Sequence, residues 1–355
     1  MNQKTVFQIL AAVLVACAVG CVIAAFIFYK PPTAFGDGRV VSAFDVPEEQ
    51  KIHGTDSADQ IELEWYRVHL GDKALVDLYD AMEAAMMALR PGVTVPSLPE
   101  EDVKKCFWAV IYDHPEIFWV DKQYFFYYDG DENVIAFDFY YWMDDKEQIE
   151  SKLHDYEVAA DTIIAGSGHA IGGSRLRTAY IWIGQATTYD DGDRDQDMSS
   201  VFDGHRSVCA GYTQALQFIL LRAGVPVARI HGTANNPDED GNIDGSHTWI
   251  AALINREILY YDITWDDISN PGTMDRYYGM DWNQLLETHV VYDDEAPRNN
   301  DQRNDVKEMT ELVFEKAKGE YRKYYEPLCA DVFGGMPDTM SAVISAAQTA
   351  VNSAS

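Results

Sequence analysis

Basic side chains are scarce in this 355-residue sequence. It contains 27 Lys and Arg residues against 58 Asp and Glu residues, which gives a formal net charge of −31 at pH 7. A chain of this charge repels a phosphate backbone instead of neutralising it, so we expect no nucleic-acid partner. The acidic excess is in itself a solubility feature and names no substrate.

Several motifs that accompany common enzyme classes are also absent. The sequence has no GxGxxG, no GxxxxGK[ST], no HExxH, no Cys/His cluster with zinc spacing and no internal repeat. Nucleotide-dependent enzymes, zinc proteases of the HExxH type and repeat folds therefore have no support, and we expect no cofactor. At 47% hydrophobic and 24% charged residues, the composition is that of a mainly globular protein.

Cysteine is rare as well, with five residues in the whole chain. Cys17 and Cys21 lie in an apolar run near the N-terminus, and Cys106, Cys209 and Cys329 lie outside it. The odd number outside the run excludes a disulfide scaffold and predicts at least one reactive thiol. If Cys209 is that thiol, Cys106 and Cys329 either pair with each other or are buried as apolar residues.

One long apolar run is present, because residues 6–29 contain no charge and ~20 residues suffice to span a bilayer. Lysines flank the run and Pro31-Pro32 follows it, so we predict a transmembrane anchor over residues 1–30, with the acidic globular part outside the cell. Residues 18–21 loosely resemble a lipobox, and Ala16-Cys17-Ala18 offers small residues for a signal peptidase. A lipoprotein or a secreted protein are the alternatives.

The rest of the chain divides by composition and periodicity. We predict a linker at 31–60, an N-terminal mixed α/β subdomain at 61–169, a core at 170–330 and a C-terminal tail at 331–355. Within the subdomain, the patterns predict helices at 62–89 and 146–164 and strands at 117–120, 124–128 and 134–143. The last two strands bracket the turn residues 129–133 and form an antiparallel hairpin.

The core contains a cysteine at a predicted helix start. Helical spacing of apolar residues runs from Tyr212 to Ala223, Gly224 is the expected C-terminal cap, and an extended segment follows. Cys209 then lies beside unpaired backbone N–H groups and the positive end of the helix dipole. With a His nearby, such a site lowers a thiol pKa from ~8.5 towards ~3.5–7.5. The alternative is a buried structural cysteine.

Downstream, two strands and a tight turn carry a histidine and an aspartate. A hairpin centred on residues 255–256 sets Ile254 opposite Glu257, so that His247 and Asp262 share a face as diagonal neighbours. Such pairs lie ~7–8 Å apart at Cα, within reach of a carboxylate–imidazole hydrogen bond. A register shift of one residue would separate the two side chains, and an incidental pair on a core sheet is the alternative.

These residues together resemble the transglutaminase-like superfamily of papain-type thiol enzymes. The matching motifs are Val-Cys-Ala-Gly-Tyr at 208–212, Leu220 to Arg229 with its Gly-Val-Pro-Val-Ala-Arg end, His-Thr-Trp at 247–249 and Asp-Ile-Thr-Trp at 262–265. The order Cys, His, Asp also agrees with the family. A weaker resemblance extends over residues 70–290.

The resemblance implies an α+β, papain-like core in which a helix bearing Cys209 packs on an antiparallel sheet bearing His247 and Asp262. It implies Cys209 as nucleophile, His247 as general base and acid, and Asp262 as the group that orients the imidazole, with a thioester intermediate. We expect a cell-surface thiol enzyme acting on protein or peptide amide bonds. Hydrolysis and transamidation stay open, with hydrolysis slightly favoured; a non-catalytic surface interaction module is the alternative function.

The groups around this triad are less determined by the sequence. The backbone N–H of Cys209 is the natural first oxyanion donor. The position six before the cysteine, often Gln in papain-type enzymes, is Asp203, so the second donor is left among Tyr189, Tyr212 and His205. Trp249 and Trp265 either wall an acyl-binding groove or belong to the core.

Two acidic stretches raise the question of calcium. Residues 190–197 and 236–241 carry side-chain oxygens at alternating positions, but neither completes an EF-hand loop. Solvated acidic loops are the favoured interpretation and bound calcium is the alternative. The sequence leaves the oligomeric state undetermined.

Overall fold

The computed structural model of the chain describes residues 46–291, apart from positions 56, 58, 169–171, 191, 193, 235–245, 256 and 270–273. The predicted anchor at 1–30 and the predicted tail at 331–355 lie outside the described residues. Within the described part, no helix has both the length and the apolar composition to cross a membrane. The described residues belong to one compact unit.

Helices and short strands alternate along the chain. The helices are α1 Trp65–Leu70, α2 Lys73–Met87, α3 Glu100–Asp113, α4 Lys146–Ala165, α5 Gly173–Ala186, α6 Cys209–Arg222, α7 Ile263–Ser269 and α8 Trp282–Thr288. The strands are β1 Gly92–Leu98, β2 Val120–Tyr128, β3 Val134–Tyr141, β4 Thr188–Tyr189, β5 Arg206–Ser207, β6 Val227–Ala234, β7 Ser246–Ile254, β8 Glu257–Tyr261, β9 Tyr278–Met280 and β10 His289–Val291. The predicted α+β class is confirmed.

The predicted helix at 62–89 is two helices. Gly71 adopts φ 68°, a left-handed conformation that ends α1 and that glycine adopts without strain. Asp72 then caps α2, its carboxylate accepting a hydrogen bond from the N–H of Ala74 at 2.7 Å. The apolar spacing continues through the break, so periodicity alone missed it.

The predicted hairpin is confirmed, but its neighbouring strand was misplaced. β2 and β3 pair antiparallel across the turn at 129–133. The third strand is β1, on the other side of β3, whereas residues 117–119 precede β2 and form no strand. Pro96 lies within β1, and an edge strand tolerates a proline because one side of it needs no ladder donor.

The described end of the predicted linker packs on the domain instead of forming a free tether. Ile52 is 1% exposed, and its N–H donates to the carbonyl of Met87 at 2.7 Å. Thr55 donates through its N–H and its hydroxyl to the buried carboxylate of Glu157. Residues 46–55 are therefore part of the folded unit.

The central element is α6, in which every residue from Ala210 to Arg222 is buried. One side of α6 packs on β6 and β7 of a five-stranded antiparallel sheet of order β10-β6-β7-β8-β9, and α4 and α5 also pack against the helix. The bounds of α4 and α6 agree with the predictions. No helix was predicted at the position of α5, which begins at Gly173, close to the predicted boundary at residues 169–170.

The predicted hairpin register is also confirmed. Ile254 pairs with Glu257 and Ile250 with Tyr261. Asn255 opens the turn at φ 52°, the left-handed conformation that a two-residue hairpin turn of this type requires and that Asn tolerates. The predicted face of the hairpin therefore carries both His247 and Asp262.

Candidate active site

Cys209 is the first residue of α6, and tight packing of the preceding segment determines its position. Val208 before it is extended. The hydroxyl of Ser207 donates to the carbonyl of Asp195 at 2.8 Å, and the hydroxyl of Ser200 donates to Ser207 at 2.7 Å. Gly211 leaves room for this contact, because a Cβ there would lie 2.1 Å from the Ser207 oxygen. The segment is thereby held against the first helical turn.

The structure brings Cys209, His247 and Asp262 together. The Cys209 thiol and the His247 imidazole line the same cavity and are close enough to shift each other's pKa. His247 Nε2 lies 2.8 Å from Oδ2 of Asp262, which is fully buried. The other oxygen, Oδ1, accepts the N–H groups of Thr264 and Trp265 at 3.1 Å each, at the start of α7. The helix thus holds the carboxylate that faces the imidazole.

A second histidine, which the sequence analysis missed, joins this cluster. His289 is 1% exposed, and its Nε2 lies 3.1 Å from the same Oδ2 of Asp262. Because an ionised carboxylate only accepts, both imidazoles donate through Nε2. His247 then presents Nδ1 towards Cys209, and Nδ1 of His289 accepts from the hydroxyl of Thr288 at 2.8 Å.

Burial and charge act in opposite directions on the ionisable groups. Burial raises the pKa of the Cys209 thiol, but the hydrogen bond and charge of His247 and the charge of Arg229 outweigh it, so the pKa lies below its ordinary value. Burial likewise disfavours imidazolium, yet Asp262 and Cys209 raise the pKa of His247 to about 10. Contacts with His247 and His289 hold the pKa of Asp262 well below its ordinary value. The arrangement favours a thiolate–imidazolium pair.

The candidate oxyanion donors differ in their surroundings. The hydroxyl of Tyr212 donates to Asp267 at 2.7 Å, and Tyr189 on β4 is 43% exposed, with its ring 6.4 Å from that of Tyr212. His205 has a left-handed backbone at φ 53°. Asp203 accepts from Lys152 at 2.7 Å and from Tyr156 at 2.8 Å. These hydrogen bonds join Tyr212 and Asp203 to side chains other than that of Cys209.

Trp249 and Trp265 pack around the two imidazoles. The Trp249 ring is fully buried, with its centroid 4.6 Å from that of His289. The Trp265 ring lies 5.7 Å from that of His247 and 5.1 Å from that of His289. The indoles thus exclude water from the carboxylate–imidazole contacts, and neither lines the cavity next to Cys209.

That cavity has a volume of about 1030 Å³ and opens beside the thiol. Its lining includes Cys209 and His247, the aromatic residues Tyr66, Trp108, Tyr112 and Tyr124, the basic residues Lys104, Lys105, Lys122 and Arg229, and the acidic residues Glu100, Glu101 and Asp102. Much of the wall comes from α3 and β2, so the N-terminal subdomain helps to form the site.

Two groups among the described residues bring three metal-binding side chains within 4.8 Å of one another. One is His247, Asp262 and His289, whose hydrogen bonds are given above; the other is Glu64, Glu83 and His114 in the N-terminal subdomain. Neither includes a described residue of the acidic stretch 190–197, and the whole stretch 236–241 lies outside the described residues. Cys106 is fully buried, while Cys329 is outside the described residues, so their pairing stays a prediction.

Residues 158–265 match the family model of the transglutaminase-like superfamily. This segment is a transglutaminase-like domain. It contains Cys209, His247 and Asp262, and it begins inside α4, earlier than the predicted start of the core at residue 170. The resemblance inferred from the motifs is confirmed. The match covers less than half of the chain, and His289 lies beyond its end.

Several solved structures are similar to this chain at a low overall level. A crystal structure of a TGase is 11% identical, with a TM-score of 0.26 over 40% of this chain and 44% of that chain. A provisionally assigned cysteine protease from Cytophaga hutchinsonii is 14% identical, with a TM-score of 0.28 over 40% of each chain. The periplasmic domain of TgpA from Pseudomonas aeruginosa, bound to ethylmercury, is 20% identical, with a TM-score of 0.25 over 31% of this chain and 43% of that chain.

The chain spans less than half the length of each of these structures. No curated protein matches the sequence. The assignment of the transglutaminase-like domain therefore rests on the family match.

Proposed function

We propose that this protein is a thiol enzyme that acts on protein or peptide amide bonds through Cys209, His247 and Asp262. The observation that carries the proposal is that Cys209, at a helix start, lines the same cavity as His247, whose imidazole is hydrogen-bonded to the buried Asp262. A helix start, an imidazolium and a lowered thiol pKa are the conditions that make a cysteine nucleophilic.

The first step is attack of the Cys209 thiolate on the amide carbonyl carbon. A C–S bond forms and the carbonyl π electrons move to oxygen, which gives a tetrahedral oxyanion. When the C–N bond breaks, the His247 imidazolium donates its proton to the departing amine and a thioester is left on the enzyme. Asp262 fixes the tautomer and orientation of the imidazole throughout, as the third member of such a triad does.

The second step releases the acyl group. Neutral His247 takes a proton from water or from an amine, which attacks the thioester, and the thiolate leaves. Water gives hydrolysis, and an amine gives transamidation. We favour hydrolysis, because water is always present and no amine-binding site is defined by the described residues.

The oxyanion needs hydrogen-bond donors. The backbone N–H of Cys209 stands at the N-terminus of α6, where the first N–H groups of a helix have no intrahelical acceptor. A second donor is proposed among Tyr189, Tyr212 and His205. Since the Tyr212 hydroxyl donates to Asp267, Tyr189 and His205 are the better candidates.

Residues 6–29 support a location at the cell surface. We propose that this uncharged run anchors the chain in the membrane and that the acidic folded part lies outside the cell, where protein and peptide substrates are available. Cleavage after a signal sequence or lipidation of the N-terminus are the alternatives. Mass spectrometry of the mature N-terminus, together with protease accessibility on intact cells, tests this location.

The reaction is tested by comparing the protein with its Cys209→Ala variant. Each is incubated with a glutamine-containing protein and a labelled primary amine, while label incorporation, ammonia and new peptide termini are recorded. Cys106→Ala is the matched control, because Cys106 is buried away from the cavity.

We expect ammonia or new termini that depend on Cys209 and are unaffected by Cys106→Ala. Label incorporation that depends on Cys209 would show transamidation and overturn our preference for hydrolysis. Equal signals from the parent protein and Cys209→Ala would remove Cys209 from the reaction and favour a non-catalytic module.

A further inference from the structure

The cavity beside Cys209 contains a buried arginine that has no carboxylate partner among the described residues. Arg229 is 4% exposed; its Nε donates to the hydroxyl of Thr248 at 3.0 Å, and its guanidinium carbon lies 4.8 Å from the ring centroid of Tyr112. By contrast Arg222, which is 5% exposed, pairs with Glu157 and with Asp161. A buried guanidinium ordinarily has such a partner, and Arg229 has none in the described part of the chain.

Two further nitrogen-bearing side chains line the same end of the cavity. His231 follows Arg229 by two residues on β6; its ring centroid lies 3.9 Å from that of Tyr112, and its buried Nε2 has no hydrogen-bond partner within the described part of the chain. Within the described part of the chain, the Lys122 ammonium on β2 donates hydrogen bonds to the carbonyl and amide oxygens of Gln196, at 3.3 and 3.2 Å. Burial and the charge of Arg229 lower the pKa of Lys122 to about 8, and the charges of Asp197, Asp195 and Cys209 offset this only in part.

The acidic residues of the cavity lie at its other end. Glu100, Glu101 and Asp102 form the first turn of α3, whereas Tyr112, which contacts Arg229 and His231, lies in the last turn. Helical rise over these twelve residues is about 18 Å at 1.5 Å per residue. The cavity is therefore polarised, with its basic end next to the cysteine, although the chain as a whole carries −31.

We propose that Arg229, Lys122 and His231 form a carboxylate subsite, so that the preferred substrates carry a carboxylate next to the scissile amide. This proposal rests on the proposed function of Cys209. The carboxylate would supply the acidic partner that Arg229 lacks among the described residues, accept hydrogen bonds from the guanidinium and the ammonium, and reduce the repulsion between them. An acidic side chain and a free C-terminal carboxylate supply the same chemistry.

Binding to a Cys209→Ala protein tests the subsite without turnover. The probes are fluorescein-labelled peptides with a central glutamine, flanked by glutamate or by glutamine, each with a free or an amidated C-terminus. We expect at least about tenfold tighter binding of the carboxylate-bearing peptides, since hydrogen bonds to charged groups are the strong class. The glutamate peptide with an amidated end carries only a side-chain carboxylate, and the glutamine peptide with a free end carries only a C-terminal carboxylate. Comparing these two peptides shows which carboxylate the subsite binds.

Variants that remove a positive charge test which residues bind the carboxylate. In Lys122→Gln and Arg229→Gln, made in the Cys209→Ala protein, we expect the preference for the carboxylate to fall about tenfold, while Arg229→Lys retains part of it. Lys105→Gln is the matched control, because Lys105 lines the cavity on α3 away from Tyr112, and it should preserve the preference. Should Arg229→Gln fail to fold, Lys122→Gln decides alone.

Equal binding of the glutamate and glutamine peptides, with both kinds of terminus, would overturn the proposal, as would a preference that survives both Lys122→Gln and Arg229→Gln. Arg229 would then serve only to lower the thiol pKa. Failure of the proposed function gives a different result. If Cys209→Ala binds carboxylate-bearing peptides selectively but the parent protein turns over none of them, catalysis is rejected and the subsite is retained.

Discussion

The thiolate–imidazolium pair makes a quantitative prediction for His247→Gln. Glutamine keeps a hydrogen-bond donor near Cys209 but cannot carry a charge. A hydrogen bond between charged groups contributes ~1.5–3 kcal/mol, and one pKa unit corresponds to ~1.36 kcal/mol. The pKa of Cys209 should therefore rise by ~1–2 units. The variant loses the charge of His247, so only the charge of Arg229 still opposes the effect of burial.

The direction of the pH dependence follows from the two shifts. Since the pKa of Cys209 is lowered, the thiolate persists as the pH falls below the ordinary thiol value of ~8.5 and is lost only below the lowered pKa. Since the pKa of His247 is raised to about 10, its cationic form persists through neutral pH. At a pH below both pKa values, a rise of ~1–2 units lowers the thiolate fraction about ten- to a hundredfold.

The assay is alkylation by iodoacetamide from pH 5 to 9, measured by mass spectrometry on the peptide that contains Cys209. Cys106 is an internal control, because burial raises its pKa to about 12 and it should stay unmodified while the protein is folded. His154→Gln, at an exposed position of α4, is the matched variant and should leave the profile unchanged. Two results would refute the reasoning. One is that Cys209 in the parent protein is alkylated with the pH dependence of a free cysteine; the other is that His247→Gln has the same profile as the parent protein.

Two further predictions concern the supports of the site. Gly211→Ala should lower the free energy of unfolding by about 1–3 kcal/mol, because its Cβ would lie 2.1 Å from the Ser207 hydroxyl. Gly204→Ala is the control, since a Cβ there meets nothing within 4 Å. Equal urea midpoints for the two variants would contradict this prediction. His289→Phe removes a donor to the buried Asp262 and should cost about 1.5–3 kcal/mol in urea unfolding, with His289→Gln retaining part; a loss confined to His289→Gln would contradict it.

Local patterns determined the elements that carry the triad. The helix that begins at Cys209 followed from apolar spacing and from Gly224, which adopts φ 73° just beyond its end. The register of β7 and β8 followed from the two-residue turn, because strand side chains alternate with a period of two and a fixed turn leaves one pairing. The pairing of His247 with Asp262 was therefore predictable from residues 246–262 alone.

Only the tertiary structure decided what surrounds that pair. His289 reaches Asp262 because β10 pairs with β6, a contact between segments more than fifty residues apart that no local pattern marks. The basic end of the cavity arises where Arg229 and His231 on β6 meet Tyr112 at the end of α3 and Lys122 on β2. A net charge sums over the whole chain, whereas the sign of a cavity depends on which side chains the fold places on its wall.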